Sequence, residues 1–243
     1  MTVQPCQGVM ITGTDTGVGK TLVTAALARC LVERARAIGI MKPVETGYSS
    51  TDASLADSAR LQAAARTTDP LDLISPYRFT APLAPQSAAA LEGRRISLDT
   101  IAEAYRSLAH DREFVLVEGV GGLLVPLCEG KDVRDLMVRL QLSIIVVGRV
   151  ALGGVNHARL TVEAVASAGL RIVALVLNQT LKPRSTAEEE QERSTVELLQ
   201  SNLSVPVLGP IPFKASASDA WESALRATAN DPAIANLADL ITP

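Results

Sequence analysis

Aromatic residues are scarce in this chain: three Phe, three Tyr and one Trp among 243 residues, 3% in all. Such scarcity leaves no array of rings on which unpaired bases could stack. A charge excess is missing too. Lys and Arg number 23 against 26 Asp and Glu, a formal net charge of −3, so no basic field draws in nucleic acid. Three cysteines, Cys6, Cys30 and Cys128, stand at no metal-ligand spacing, and their odd number fits a reducing compartment better than a disulfide framework. They read as structural filler. No apolar run approaches the ~20 residues needed to span a bilayer. The opening stretch, 1–7, is short, polar and carries Pro5, unlike a cleavable leader. The expectation is a cytoplasmic protein with neither membrane nor nucleic acid as partner.

What is present begins at Gly13-Thr14-Asp15-Thr16-Gly17-Val18-Gly19-Lys20-Thr21. An apolar run, 8–12, precedes it and reads as a strand; residues 22–37, rich in Ala and Leu, follow with helical spacing. A glycine-rich turn between strand and helix is a phosphate cradle, because loop amides and the helix N-terminus point at the anion. Lys20 adds charge and Thr21 a hydroxyl suited to Mg²⁺. In the common pattern of glycine, four residues, then Gly-Lys-Ser/Thr, the first glycine would fall at position 14. Thr14 stands there and Gly13 lies one step earlier, so the loop is a variant. A nucleoside triphosphate with Mg²⁺ is the expected ligand.

Strand-like and helical runs alternate along the chain. Strands are expected at 39–44, 114–117, 143–148, 172–178 and 205–208, and helices at 55–65, from Ser97 or Asp99 to about His110, and at 232–240. Residues 75–86 read as a proline-rich loop. Near-continuous Val, Ile and Leu is what strands covered on both faces require. With no internal repeat and no long linker, the expected fold is α/β: a single P-loop NTPase-type domain over 1–243, its mostly parallel sheet flanked by helices. Ligands in such sheets sit beyond the carboxyl ends of the strands.

Candidate chemistry gathers at those ends. Lys42 leaves the second strand into Lys42-Pro43-Val44-Glu45-Thr46-Gly47, where Pro43 fixes the chain direction. Glu118 ends an apolar strand before Gly119, Gly121 and Gly122, placed to hold Mg²⁺. Asp52 and Asp57 lie in a polar stretch and could equally cap the next helix. Gly153-Gly154-Val155-Asn156-His157 opens a helix, with Asn156 an expected N-cap and His157 an expected structural residue. The run Glu188-Glu189-Glu190-Gln191-Glu192-Arg193 reads as a solvated helix face.

Taken in order, these motifs resemble the dethiobiotin synthetase family. The likeness rests on 13–21, on Lys42-Pro43-Val44 with Thr46-Gly47, on Val117-Glu118-Gly119-Val120-Gly121-Gly122, on Leu152-Gly153-Gly154-Val155-Asn156-His157, and on Asn178 and Ile211-Pro212. It implies an ATP-dependent ligase of biotin synthesis. Carbon dioxide adds to one amine of 7,8-diaminopelargonate as a carbamate, the carbamate attacks the γ-phosphate of ATP, and the second amine closes the mixed anhydride to a cyclic urea with release of phosphate. The resemblance makes Lys42, Lys20 and Thr16 catalytic. It assigns ATP to Gly17, Val18, Gly19, Lys20, Thr21, Leu22, Asp57, Glu118, Gly119, Val120, Gly121, Asn178, Ile211, Pro212 and Phe213, and Mg²⁺ to Thr21, Asp57 and Glu118. Thr46 would position the carbamate or amine. Gly153, Gly154, Val155 and Asn156 would receive the distant carboxylate from a second subunit of a homodimer. Gly17 stands where some relatives carry an acid, and Thr46 where serine is common.

Three other readings share the fold. A partitioning or positioning ATPase of the ParA/MinD type carries an extra lysine in the loop where this chain has Asp15, and no basic amphipathic C-terminal helix is evident here. An amidating enzyme of corrin synthesis would need a glutaminase domain. The plainest reading is a nucleotide-binding module without catalysis.

Overall fold

The computed structural model describes residues 7–214 and 220–242; Cys6 lies outside them. β1 (Gln7–Gly13) is the spine of a six-stranded sheet. β2 (Ile38–Met41) and β5 (Phe114–Gly122) lie to one side; β8 (Ser143–Arg149), β9 (Ile172–Asn178) and β10 (Val207–Ile211) lie to the other. The order is β10-β9-β8-β1-β5-β2, and every pairing is parallel.

Parallel strands need crossovers, and the crossovers cover both faces. On one face Val9, Ile11, Ile145, Val147 and Val176 pack against α1 (Lys20–Glu33), α2 (Asp57–Ala64), α9 (Trp221–Ala229) and α10 (Pro232–Ile241). On the other, Met10, Val115, Val117, Ile144, Val146 and Leu175 pack against α5 (Leu98–Ala109), α6 (Val133–Leu140), α7 (Gly154–Ser167) and α8 (Thr186–Asn202). Neighbours along each strand bury to opposite sides, so alternation vanishes and the sequence reads as one apolar run.

Register places the site. Ile11 pairs with Glu118, Gly13 with Val147, and Arg149 with Asn178. The loop after β1, the carboxylate on β5 and the amide ending β9 therefore share the carboxyl-terminal end of the sheet.

Several boundaries differ from the sequence reading. The run 39–44 is broken at Lys42-Pro43: β2 stops at Met41, and β3 (Val44–Thr46) pairs in parallel with β4 (Tyr77–Phe79) in a separate two-stranded sheet. Pro43 has no N–H for a ladder, and Lys42 turns its own N–H to Ile74 O at 2.8 Å. The proline-rich stretch holds β4 and opens α4 (Pro85–Leu91), with Pro85 in the first helical turn. The 205–208 strand begins at Val207 and runs on to Ile211. A short helix α3 (Leu71–Ile74) and an antiparallel pair, β6 (Pro126–Cys128) with β7 (Lys131–Asp132), gave no signal. Ser97 does cap α5, accepting from Thr100 N. Among the described residues no helix is long and apolar enough to cross a membrane.

Candidate active site

The loop between β1 and α1 wraps around the Lys20 side chain. Gly19 has φ 96°, and a Cβ built there would lie 2.2 Å from Asn178 Nδ2, so conformation and space both demand glycine. Asn178 donates to Val18 O at 3.0 Å, tying the loop to the end of β9. Lys20 donates to Asp15 O at 3.0 Å. Burial, followed by repulsion from Lys42, pulls the Lys20 ammonium down to about 8.

Lys42, 3% exposed, is the hub of the charged cluster. Its ammonium bonds Glu118 Oε1 in a very short contact, Asp57 Oδ2 at 3.0 Å and Gly119 O at 3.4 Å. Burial alone would lower this ammonium; Glu118 and Asp57 outweigh it and push it up, so Lys42 stays charged. Burial would raise Asp57, and Lys42 overrides that and holds it low. Glu118 is fully buried, and burial pushes its carboxyl up. Thr21 donates its hydroxyl to Glu118 Oε1 at 2.9 Å.

Glu118 Oε2 is buried with no hydrogen-bond partner, an acceptor left open beside the Thr21 hydroxyl. Among the described residues no group of three or more His, Cys, Asp or Glu is arranged to hold a metal. Two carboxylates and a hydroxyl suit Mg²⁺ all the same, since that ion takes one or two carboxylates and completes its shell with water and phosphate oxygens.

These groups open onto a cavity of about 640 Å³. Of the residues expected from sequence, Thr16, Gly17, Gly19, Lys20, Thr21, Leu22, Lys42, Thr46, Asp57, Glu118, Val120, Gly121, Asn178 and Phe213 line it. Val18 and Ile211 are buried and do not line it; neither do Gly119, whose carbonyl accepts from Lys42, and Pro212. Gly153, Gly154, Val155 and Asn156 are apart from it, at the start of α7. There Asn156 is not the N-cap: Gly153 holds that position, with φ 85°. Asp57 is likewise the first residue of α2 and not its cap, which is Ala56.

A family model described as an AAA domain matches residues 7–220. The chain is 52% identical over 177 residues to the ATP-dependent dethiobiotin synthetase BioD of Anaeromyxobacter sp. (strain Fw109-5), covering 71% of this chain and 77% of that protein. To the protein of the same name from Xanthomonas axonopodis pv. citri it is 39% identical over 216 residues, 88% of this chain and 94% of that one. The chain belongs to the dethiobiotin synthetase family. Among solved structures, the MinC:MinD cell division protein complex of Aquifex aeolicus superposes with a TM-score of 0.56 at 15% identity, covering 97% of this chain and 94% of that one. That likeness is one of fold.

This family member also carries site residues that sequence reasoning passed over. Glu45, Arg60, Gln179, Lys214 and Trp221 line the cavity. Arg60 lies over the Trp221 ring, 4.4 Å from its centroid, which joins α2 to α9. Gln179 Oε1 accepts from Phe213 N at 3.0 Å. Only Glu45 gave a signal, as the acid inside the Lys42–Gly47 motif.

Proposed function

We infer that this chain is an ATP-dependent dethiobiotin synthetase, a ligase that joins carbon dioxide to 7,8-diaminopelargonate and closes the cyclic urea. The carrying observation is the buried Lys42, held on Glu118 and Asp57 at the lip of the phosphate loop and pointed into a cavity that Lys20 also faces. A switch ATPase of the ParA/MinD type carries its extra lysine within the phosphate loop, where this chain has Asp15; here the second cation stands at the end of β2. A ligase that must bring a carbamate anion against a triphosphate needs a second fixed cation.

In this reading ATP lies along the loop from Thr16 to Leu22, with its base toward Asn178 and Phe213. Lys20 holds the terminal phosphates. Lys42 neutralises the carbamate and the transferring phosphoryl group. Thr16 and Thr46 orient the carbamate and the amine by hydrogen bonds. Thr21, Asp57 and Glu118 hold Mg²⁺, which neutralises phosphate charge when bound. Gly119, Val120 and Gly121 lie beside the nucleotide, where glycine at 121 allows φ 60° and lets the backbone come close.

The chain acts as one domain over 1–243 in the cytoplasm, and as a homodimer. Leu152 is 79% exposed and Leu160 56%, an apolar surface beside Gly153 that a second copy would cover. The amides of Val155 and Asn156 at the start of α7 then receive the partner site's substrate carboxylate, with Gly153 and Gly154 shaping the turn and Gly154 N held by Ala151 O at 2.8 Å. Labelled bicarbonate supplied with ATP and the diamine should enter an acid-stable neutral urea. Label recovered only as acid-labile carbamate would refute ring closure.

A further inference from the structure

We propose that Glu45 is a positioning residue of the reaction: its buried carboxylate caps α2 from the neighbouring strand β3 and so aims Asp57 at Lys42. The idea rests on the placement of Lys42 and Asp57 at the reacting end of the site. The first N–H groups of a helix have no partner within the helix and need an acceptor. At the N-cap of α2 stands Ala56, with extended dihedrals (φ −61°, ψ 144°) and no side chain that could serve. Glu45 does the work from a distance. It is 5% exposed. Its Oε1 accepts from Asp57 N at 2.6 Å, and its Oε2 accepts from Ser58 N at 3.3 Å and from the Ser58 hydroxyl. Ser58 is itself fully buried, so both ends of this contact are fixed.

The geometry makes one unit of three site residues. β3 carries Glu45 and Thr46, Lys42 lies just before it, and α2 begins with Asp57, whose Oδ2 meets Lys42 Nζ at 3.0 Å. Between β3 and α2 runs a polar connection that includes a single 3₁₀ turn, Ala53–Leu55, with no buried residue of its own. Nothing in that connection anchors the helix start; the Glu45 carboxylate does. An anion there is also favoured by the helix dipole. Although Glu45 lines the cavity, its two oxygens are engaged by three donors from α2, which leaves them poorly placed to act on substrate.

The test separates positioning from direct chemistry by moving the cap. Four variants are compared with the parent: E45A, E45A/A56S, A56S alone and D57A. Turnover, KM for ATP and hydrogen exchange of the α2 amides are measured on each. E45A should lose about ten-fold in kcat, with KM for ATP changed far less, and exchange at 57–60 should speed up by a similar factor. Serine at position 56 supplies the missing N-cap acceptor. E45A/A56S should therefore regain both slow exchange and most of kcat, while A56S alone behaves as the parent. Slow exchange restored without kcat would overturn the proposal and make Glu45 a group acting on substrate. Parental kcat in E45A would overturn it as well. Should E45A fail to fold, E45Q carries the test, since glutamine keeps an acceptor for Asp57 N but offers a donor to Ser58 N: an intermediate kcat that A56S raises supports positioning, and one that A56S leaves unchanged overturns it. A D57A variant with parental turnover would instead remove the underlying site reading.

Discussion

Replacing Lys42 by alanine should harm both catalysis and folding, and the structure separates the two losses. The ammonium is 3% exposed and bonds a fully buried Glu118 and a partly exposed Asp57. Asp57 can turn toward water when its partner goes; Glu118 cannot. Leaving one buried charge unpaired costs ~3–5 kcal/mol, eased here because the Thr21 hydroxyl still donates to Glu118. Losing a donor aimed at developing negative charge costs ~3 kcal/mol or more in the transition state, at least a hundred-fold in turnover. The double variant Lys42→Ala/Glu118→Gln removes both charges and keeps the oxygen that accepts from Thr21. It should recover about 2 kcal/mol or more of the lost stability while turnover stays low. Urea unfolding gives the first quantity and coupled phosphate release the second. Lys42→Ala unfolding at the parental urea midpoint would show that no buried pair was broken, and near-parental turnover would remove Lys42 from the chemistry.

Changing Asp57 or Glu118 to alanine should raise the Mg²⁺ concentration needed for nucleotide binding, measured by calorimetry; unchanged Mg²⁺ dependence in both would sink their role as oxygen donors. Away from the site, Asp69 receives the Thr67 hydroxyl at 2.6 Å and both oxygens face Arg112. Burial would raise its carboxyl, and Thr67 and Arg112 outweigh that and hold it low. A depressed folded pKa gives stability that is present above the unfolded value of about 4 and lost as pH falls through the folded one. Asp69→Asn should thus be less stable than the parent near neutrality, by about 1 kcal/mol, with melting temperatures converging in acid; a gap independent of pH would contradict this. Mixing Lys20→Ala with a Gly154→Trp variant should restore roughly a quarter of parental activity, because half the dimers are mixed and each has one intact site. A Cβ at 154 already meets Arg149 O at 2.2 Å, so a bulky residue there displaces the cradle. No recovery after proven subunit exchange would refute the shared site.

The core strands were legible because each buries both faces, which leaves a run such as Ile144-Ile145-Val146-Val147 that only a covered parallel strand needs. The phosphate loop was legible because its glycines and Lys-Thr pair are fixed by local geometry. Lys42 and Glu118 could be picked out singly, but not as a pair, since 76 positions separate them and register alone brings them together. The break at Pro43 was half visible: proline stops a ladder, yet nothing local announces that β3 leaves the main sheet to join β4. Glu45 was visible as an acid inside the Lys42–Gly47 motif, but its capping role was hidden because a cap normally sits beside its helix, and here it comes from another strand. The Arg60–Trp221 contact joins two helices far apart in the chain, and α9 itself begins without a side-chain cap that would mark it.

The most direct test of the central claim is the dependence of phosphate release on each reactant. With ATP, bicarbonate and 7,8-diaminopelargonate together, phosphate should appear one for one with cyclic urea, and omission of either the diamine or bicarbonate should stop it. Phosphate released at the same rate without the diamine would contradict a ligase and leave an ATPase on this fold.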